Sequence, residues 1–553
     1  MKTKNMRLAA SLLVLCMLIT AVGCGSANVQ QDAKAVNETS GGAVELLRIG
    51  TTKPNDTFSA LSQDGAYGKM SYNSFVQAAL IEFDENSKIK PGFMTAWEVS
   101  EDNRQIIFTF PETGVYWHDG EPVTKEDVEF TFNYYRDVFK SSYFKKIQDI
   151  ELVGNDKIKI TFDQDYAFAF MNEIAFSIYL LPKHVWENVE DPANYRGEDA
   201  AIGCGPYKFV SLDKDAQTSY YEAVDNYFKG EITIQKVSVR TFDSHEALIM
   251  GIVNDEIDVI YDYANPIDAN LANSLEGNKD VDPGMTTNTG NFQLVFGFKK
   301  PVTSELNFRK AVSYALDYKL LATTIGGDKG EIAGAGIISD VNKGYDPSIP
   351  RNEQNAELAV KTLEEAGYKD LNGDGYREAP DGSVLDIEIT PQNNKARQAL
   401  YLRMAEVIIQ NLDKIGVKAH LDEKSVSNAD YWNEVKSNGT YDIHLCYTSA
   451  GVATWRTAAF YIVGETGMTT VWGTYMNQDY IDAYNSMKNA SNYDIYESNA
   501  KIIQKIHAED LPAIGLAWDK AFFPYRTDKY TGWINYPGWG AINSQTWYTL
   551  RTK

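Results

Sequence analysis

The chain is 553 residues long, with 44% hydrophobic, 23% charged and 12% aromatic content, which excludes wholesale disorder, collagen and coiled coil. Its formal net charge of −24 repels a polyanion such as DNA, and no run of Lys and Arg offsets that field. The four cysteines, Cys16, Cys24, Cys204 and Cys446, contain no CxxC pair, which excludes a disulfide scaffold, a zinc ribbon and a thioredoxin-like redox site.

Lys2, Lys4 and Arg7 form a positive start, and residues 8–22 are apolar. That run is short of the roughly 20 residues a membrane span needs and fits a secretory signal. It ends at Ala21-Val22-Gly23-Cys24, small residues before a cysteine, as in a bacterial lipoprotein signal. The thiol of Cys24 would take a diacylglycerol, and cleavage would leave Cys24 first in the mature chain. Two or three acyl chains hold a soluble body on a membrane, whereas one is marginal. The alternatives are an ordinary signal peptide or a retained signal anchor. Residues 25–42 are small and polar and read as a flexible tether. No later stretch is apolar enough to span a bilayer, so the mature chain is expected to work outside the cytoplasmic membrane.

Strands and helices then alternate. Residues 44–51 (VELLRIGT) and 105–110 (QIIFTF) are β-prone, and 157–162 (KIKITF) alternates strictly. Thr124 before 125–135, with Asp127 at the third helical position, is a helix-cap signature. Residues 356–366 are an amphipathic helix closed by Gly367, and 397–415 a longer one closed by Gly416, with a strand over 417–421. The class is mixed α/β with more than one lobe.

No catalytic constellation is intact. His245-Glu246 starts like a zincin helix, but position 249 is Ile, so a helix-start histidine is the plainer reading. There is no GxSxG elbow and no phosphate-binding loop, and Gly334-Ala335-Gly336 lacks a third glycine. The histidines at 118, 184, 245, 420, 444 and 507 have no chelating spacing. One segment has metal chemistry: Asp370, Asn372, Asp374 and Glu378 place oxygens at positions 1, 3, 5 and 9 of a calcium-type loop, with Gly375 at 6 and the Tyr376 carbonyl at 7. Position 12 is Asp381 rather than Glu, and Asn-Gly-Asp-Gly is also a plain tight turn. Structural calcium and a metal-free turn both stay open; no cofactor is required.

An ordered set of segments resembles one family. Trp97-Glu98-Val99-Ser100, Phe108-Thr109-Phe110 and Tyr116-Trp117-His118-Asp119-Gly120-Glu121-Pro122-Val123-Thr124 come first. Leu181-Pro182-Lys183-His184, Gly203-Cys204-Gly205-Pro206-Tyr207 and residues 251–260 (GIVNDEIDVI) follow. Residues 307–317, Ala366-Gly367-Tyr368, Tyr441-Asp442-Ile443 and Glu509-Asp510-Leu511-Pro512 complete the set. Together they resemble the family 5 extracellular solute-binding proteins, the oligopeptide-, dipeptide- and nickel-type receptors of ABC importers.

The resemblance implies a hinged, two-lobed periplasmic-binding-protein clamp of α/β class, type II-like, with an extra subdomain in lobe one and a ligand cleft between the lobes. It divides the chain into a signal peptide (1–23), acylated cysteine and tether (24–45), lobe one (46–75), its subdomain (76–199), lobe one again (200–285), lobe two (286–504) and a return to lobe one (505–553). The implied function is an extracytoplasmic binding lipoprotein, not an enzyme. It would work as a monomer with a permease and an ATPase, be held to the membrane by its lipid, and bind no nucleic acid. Peptide receptors of this family carry an Asp about ten residues after the Tyr-Asp pair, where it meets the peptide's α-amino group; here that position is Gly451. Peptide ranks first as ligand, a nickel or other metal chelate second and an oligosaccharide third. A lipid-anchored hydrolase or adhesin is the alternative of another class. Tyr447, Thr448, Ser449, Trp455, Arg456, Trp472 and Trp518 are the candidate cleft contacts, aromatics for stacking and Arg for a carboxylate. Core packing is the plain alternative for each Trp.

Overall fold

The computed structural model describes residues 41–55, 58–62, 74–85, 88–173, 175–262, 266–448, 454–459, 461 and 474–553. Cys24, Ser449 and Trp472 fall outside them, as do the side chains of Trp455 and Arg456.

The first lobe is built on a seven-stranded sheet. Val44–Thr51 lies at its heart, with Val44, Leu47 and Ile49 buried. It runs parallel to Ile234–Thr241 on one side and to Val259–Ile260 on the other. Thr218–Ala223 and Tyr207–Asp213 extend the sheet antiparallel beyond the first neighbour, and Tyr525–Arg526 and Val281–Asp282 beyond the second. Residues far apart in sequence thus share one sheet.

A four-stranded antiparallel sheet forms the subdomain, in the order Ala96–Val99, Gln105–Thr109, Lys157–Phe162, Ile147–Val153. The alternation in KIKITF buries Ile158, Ile160 and Phe162. The helix Lys125–Asp137 packs on this sheet through Val128 and Phe132, with Phe132 6.0 Å from Phe108 ring to ring. Its start is a full capping box: Thr124 Oγ1 accepts from the Asp127 amide, and Asp127 accepts from the Thr124 amide at 2.8 Å. Such a cap stabilises by about 1 kcal/mol. The other Asp127 oxygen accepts from the Lys183 amide at 2.9 Å, so the cap also fixes the next segment.

The chain re-enters the main sheet at Gly203–Tyr207. The Gly205 amide donates to the Val76 carbonyl at 2.8 Å, and a β-carbon on Gly205 would stand 2.5 Å from the Phe75 oxygen. Close backbone approach is therefore what requires glycine there. Phe75, Tyr207 and Trp547 meet ring to ring at 5.0 to 5.2 Å, which draws the C-terminal residues into the same core.

The second lobe is a six-stranded mixed sheet in the order Glu331–Ile332, Ala513–Phe522, Met285–Phe296, Ile443–Thr448, Asp386–Pro391, Lys418–Leu421. Phe292, Leu294 and Phe296 face a core with the helices Leu306–Ala315, Tyr318–Gly326 and Gln398–Asp413. Val295 and Cys446 face the opposite core, made with Gln478–Lys488 and Tyr493–Asp510. The predicted helices at 356–366 and 397–415 are Ala356–Glu365 and Gln398–Asp413, and both closing glycines have positive φ, +91° at Gly367 and +72° at Gly416. His245 does start a helix, His245–Val253, capped by Ser244. No helix among the described residues is long and apolar enough to cross a membrane.

Candidate functional site

The two lobes are joined where Val281–Asp282 leads into Met285–Phe296 and where Ala513–Phe522 leads back to Tyr525–Arg526. The long strands of these crossings pair antiparallel from Met285–Phe522 to Val295–Ala513, with two register shifts. At the crossing itself the Phe523 amide donates to the Gly284 carbonyl at 3.1 Å. Tyr261 stacks on Phe523 at 6.4 Å, and the Ile260 amide donates to the Pro524 carbonyl at 2.8 Å, so the end of Val259–Ile260 lies against the hinge. Away from the hinge the subdomain touches lobe two again: Asn103 Nδ2 donates to the Ala490 carbonyl at 3.1 Å, and Phe168 meets Tyr493 edge to face at 4.9 Å. The cleft lies between these two sets of contacts.

On its lobe-two side, strand alternation sends Tyr447 and Thr448 to opposite faces. Thr448 is buried, accepting from Gln293 Nε2 at 2.8 Å; Gln293 in turn accepts from the Tyr461 hydroxyl at 2.6 Å. That trio is a satisfied polar core. Trp518, 4% exposed, pairs in register with Asn291, which pairs on its other side with Thr448. The Asn291 Oδ1 is buried with no hydrogen-bond partner among the described residues.

On the other face, Tyr447 packs against Phe292 at 5.3 Å, and the Arg397 guanidinium lies over both rings, at 5.4 and 5.5 Å. Arg397 Nη1 and Nη2 both donate to Asp519 Oδ2 at 3.2 Å. Burial pushes the Asp519 carboxyl above the ordinary carboxylate value, and the charge of Arg397 offsets only part of that. Gln392 Oε1 accepts from the Tyr447 amide at 2.9 Å and the Tyr401 hydroxyl at 3.0 Å, fixing this end of the strand. Near the hinge, Lys520 and Arg351 both reach Glu331, at 2.7 and 2.6 Å.

The structure thus puts Thr448 and Trp518 on one face of the sheet, on either side of Asn291 in the strand between them, and Tyr447 on the opposite face. Trp455 and Arg456 belong to the helix Thr454–Ala459, whose first residue donates to the Lys343 carbonyl at 2.8 Å. Arg397 and Asp519 escaped the sequence reading. Their signal was faint: an arginine at the start of an amphipathic helix and one acid, next to a lysine, in the returning strand.

In the 370–378 loop, the Asp370 oxygens accept from the Gly373 and Gly375 amides at 2.6 and 3.0 Å. Asp374 accepts from the Tyr376 amide and Glu378 from the Leu371 amide, each at 2.8 Å. The carboxylates hold the turn's own N–H groups, and no group of three or more His, Cys, Asp or Glu among the described residues could hold a metal ion. A cavity of about 210 Å³ lies within lobe one, beside Trp117, His118 and Tyr227, and touches no lobe-two residue.

The family of bacterial extracellular solute-binding proteins, family 5 Middle, matches residues 88–469. The oligopeptide-binding protein AppA of Bacillus subtilis is 26% identical over 432 residues, covering 75% of either chain. The structure of Bacillus subtilis AppA in complex with a nonapeptide superposes with a TM-score of 0.67 at 20% identity, over 92% of this chain and 99% of that one. The structure of NikA from Brucella suis in complex with Fe(III)-EDTA superposes with a TM-score of 0.76 at 17% identity, over 92% and 100%. The fold is the two-lobed clamp of these proteins, and the receptors of this family bind solute outside the cytoplasm and work with a permease and an ATPase rather than as enzymes. With the family matched across most of its length and the hinged clamp in place, this chain belongs to the family 5 bacterial extracellular solute-binding proteins of ABC importers.

Proposed function

We propose that the protein captures a peptide-like solute between its lobes and delivers it to the permease as a monomer held to the membrane by lipid on Cys24. The observation that carries this reading is Tyr447 with Arg397 and Asp519 beside it, which sets an aromatic ring next to both signs of charge where the lobe-two sheet meets the start of the helix Gln398–Asp413. A peptide offers matching chemistry: apolar side chains, amides and two charged ends. The similarity to oligopeptide-binding AppA supports the same ligand class. Arginine between aromatic rings also suits the carboxylates of a metal chelate, which keeps that ligand as the second reading.

A thermal-shift panel separates them: peptides of two to eight residues, nickel with histidine, oligosaccharides, and calcium alone. A ligand at 100 times its Kd stabilises by about 2.7 kcal/mol. A shift with peptides is expected, and a shift with chelate or sugar but none with peptides overturns the peptide reading. We read the 370–378 loop as closing without metal, so calcium alone should leave the midpoint in place. Cys24→Ala should release the protein from the membrane fraction, and retention would overturn the lipid anchor.

A further inference from the structure

Three parallel strands of lobe one, Val44–Thr51, Ile234–Thr241 and Val259–Ile260, end on the same edge of the sheet. The residues just past those ends are Thr52, His245 and Asp262, and they meet. The Thr52 hydroxyl donates to Asp262 Oδ2, and His245 Nε2 lies 3.2 Å from the same oxygen. The other oxygen, Oδ1, is buried and has no hydrogen-bond partner among the described residues, although Asp262 is only 1% exposed. A buried carboxylate oxygen left without a donor is costly, and native proteins ordinarily supply one. The position is also informative: in open α/β sheets ligands sit beyond the carboxyl ends of the strands. Asp262 follows Tyr261, which stacks on the hinge residue Phe523, so this edge faces the junction of the lobes.

We infer that Asp262 is the ligand-reading acid of the cleft, with Oδ1 accepting from the primary ammonium of the bound solute, the α-amino group of a peptide. Thr52 and His245 hold the carboxylate by Oδ2 and leave Oδ1 to accept from the ligand. The inference rests on the peptide-like reading above, and it supplies the acid that position 451, a glycine, lacks. It places that acid on lobe one, so the ammonium is gripped from the opposite side to Tyr447 and Arg397.

The test uses a library of tetrapeptides with free amino termini and the same library N-acetylated, titrated calorimetrically into wild type and Asp262→Asn. Wild type should bind the free-amine library at least ten-fold tighter, and Asp262→Asn should erase that preference. A wild type indifferent to acetylation overturns the inference, as does a preference that survives in Asp262→Asn; in both cases the peptide reading stands. Binding of neither library by wild type overturns both. Where circular dichroism shows that Asp262→Asn does not fold, Asp262→Glu keeps the charge and moves it by one methylene. It must weaken the preference several-fold, and an unchanged preference overturns the inference.

Discussion

His444 and His507 are buried and His118 is half-buried, and loss of solvent pushes their pKa values down from 6.5, to about 4 for His118, about 4 for His444 and about 3 for His507. Each has one ring nitrogen within reach of a backbone carbonyl: Nε2 of His118 at the Gly205 oxygen, Nδ1 of His444 at the Thr390 oxygen, and Nε2 of His507 at the Ala513 oxygen, at 3.0, 2.9 and 3.1 Å. In the neutral ring that nitrogen carries the proton. As the pH falls below 6.5 the unfolded chain takes up protons that the folded chain refuses until about 4 or 3, so folding stability falls across that window. The slope is at most about 1.4 kcal/mol per pH unit for each histidine. Carboxylates act in the same direction, so a difference measurement is needed. In His507→Gln the amide nitrogen replaces Nε2, and in His444→Asn it replaces Nδ1. Urea unfolding between pH 6.5 and 4.5 should show a shallower loss of stability in each variant, by up to one proton; a slope equal to wild type would remove that histidine from the account.

Gly284 is where an element boundary becomes a hinge. Its φ is +62°, and a β-carbon there would meet the Phe523 carbonyl oxygen at 2.0 Å and its carbon at 2.5 Å, both backbone atoms. Gly373 supplies the control, with φ of +80° and nothing within 4 Å of the added atom. Gly373→Ala should cost about 1 kcal/mol for the left-handed backbone alone. Gly284→Ala should cost distinctly more, about 2 to 4 kcal/mol, because the crossing strands must also separate. Denaturant midpoints that fall equally in the two variants would contradict the clash. Elements such as these were legible to different depths in the sequence. The helix after Thr124 was readable because its cap is a local pattern, and so were the closing glycines at 367 and 416, which each sit at a helix end. The role of Gly205 was half readable: Pro206 marks a turn, but the backbone of Phe75 and Val76 that forbids a side chain lies some 130 residues earlier. Arg397 and Asp519, or His245 and Asp262, come together only through sheet pairing, and no spacing rule joins them.

At the scale of the whole molecule, closure has an identifiable fastening on the side away from the hinge. Asn103 sits at φ of +55°, 2% exposed, and its Oδ1 accepts from the Phe168 amide at 2.8 Å while Nδ2 reaches the Ala490 carbonyl in the other lobe. One side chain thus holds the helix Ala167–Glu173 and carries it to lobe two, where Phe168 meets Tyr493 and Asn172 accepts from the Tyr493 hydroxyl. Lys343 lies over the Tyr493 ring at 4.1 Å from the lobe-two side. In a clamp that opens at Gly284 and Phe523, contacts between the subdomain and lobe two exist only when the lobes are together, so they add to the stability of the closed form alone. Ligand affinity then scales with the closed population. A hydrogen bond of this kind contributes about 0.5 to 1.5 kcal/mol net, which is about a two- to twelve-fold change in that population. Asn103→Ala and Tyr493→Phe should each weaken ligand binding by such a factor. The change should appear in the dissociation rate, since capture by the open form does not involve the fastening. Stopped-flow kinetics would show the association rate unchanged; a loss confined to association, or an unchanged dissociation rate in Asn103→Ala, would mean that the lobes close without this contact.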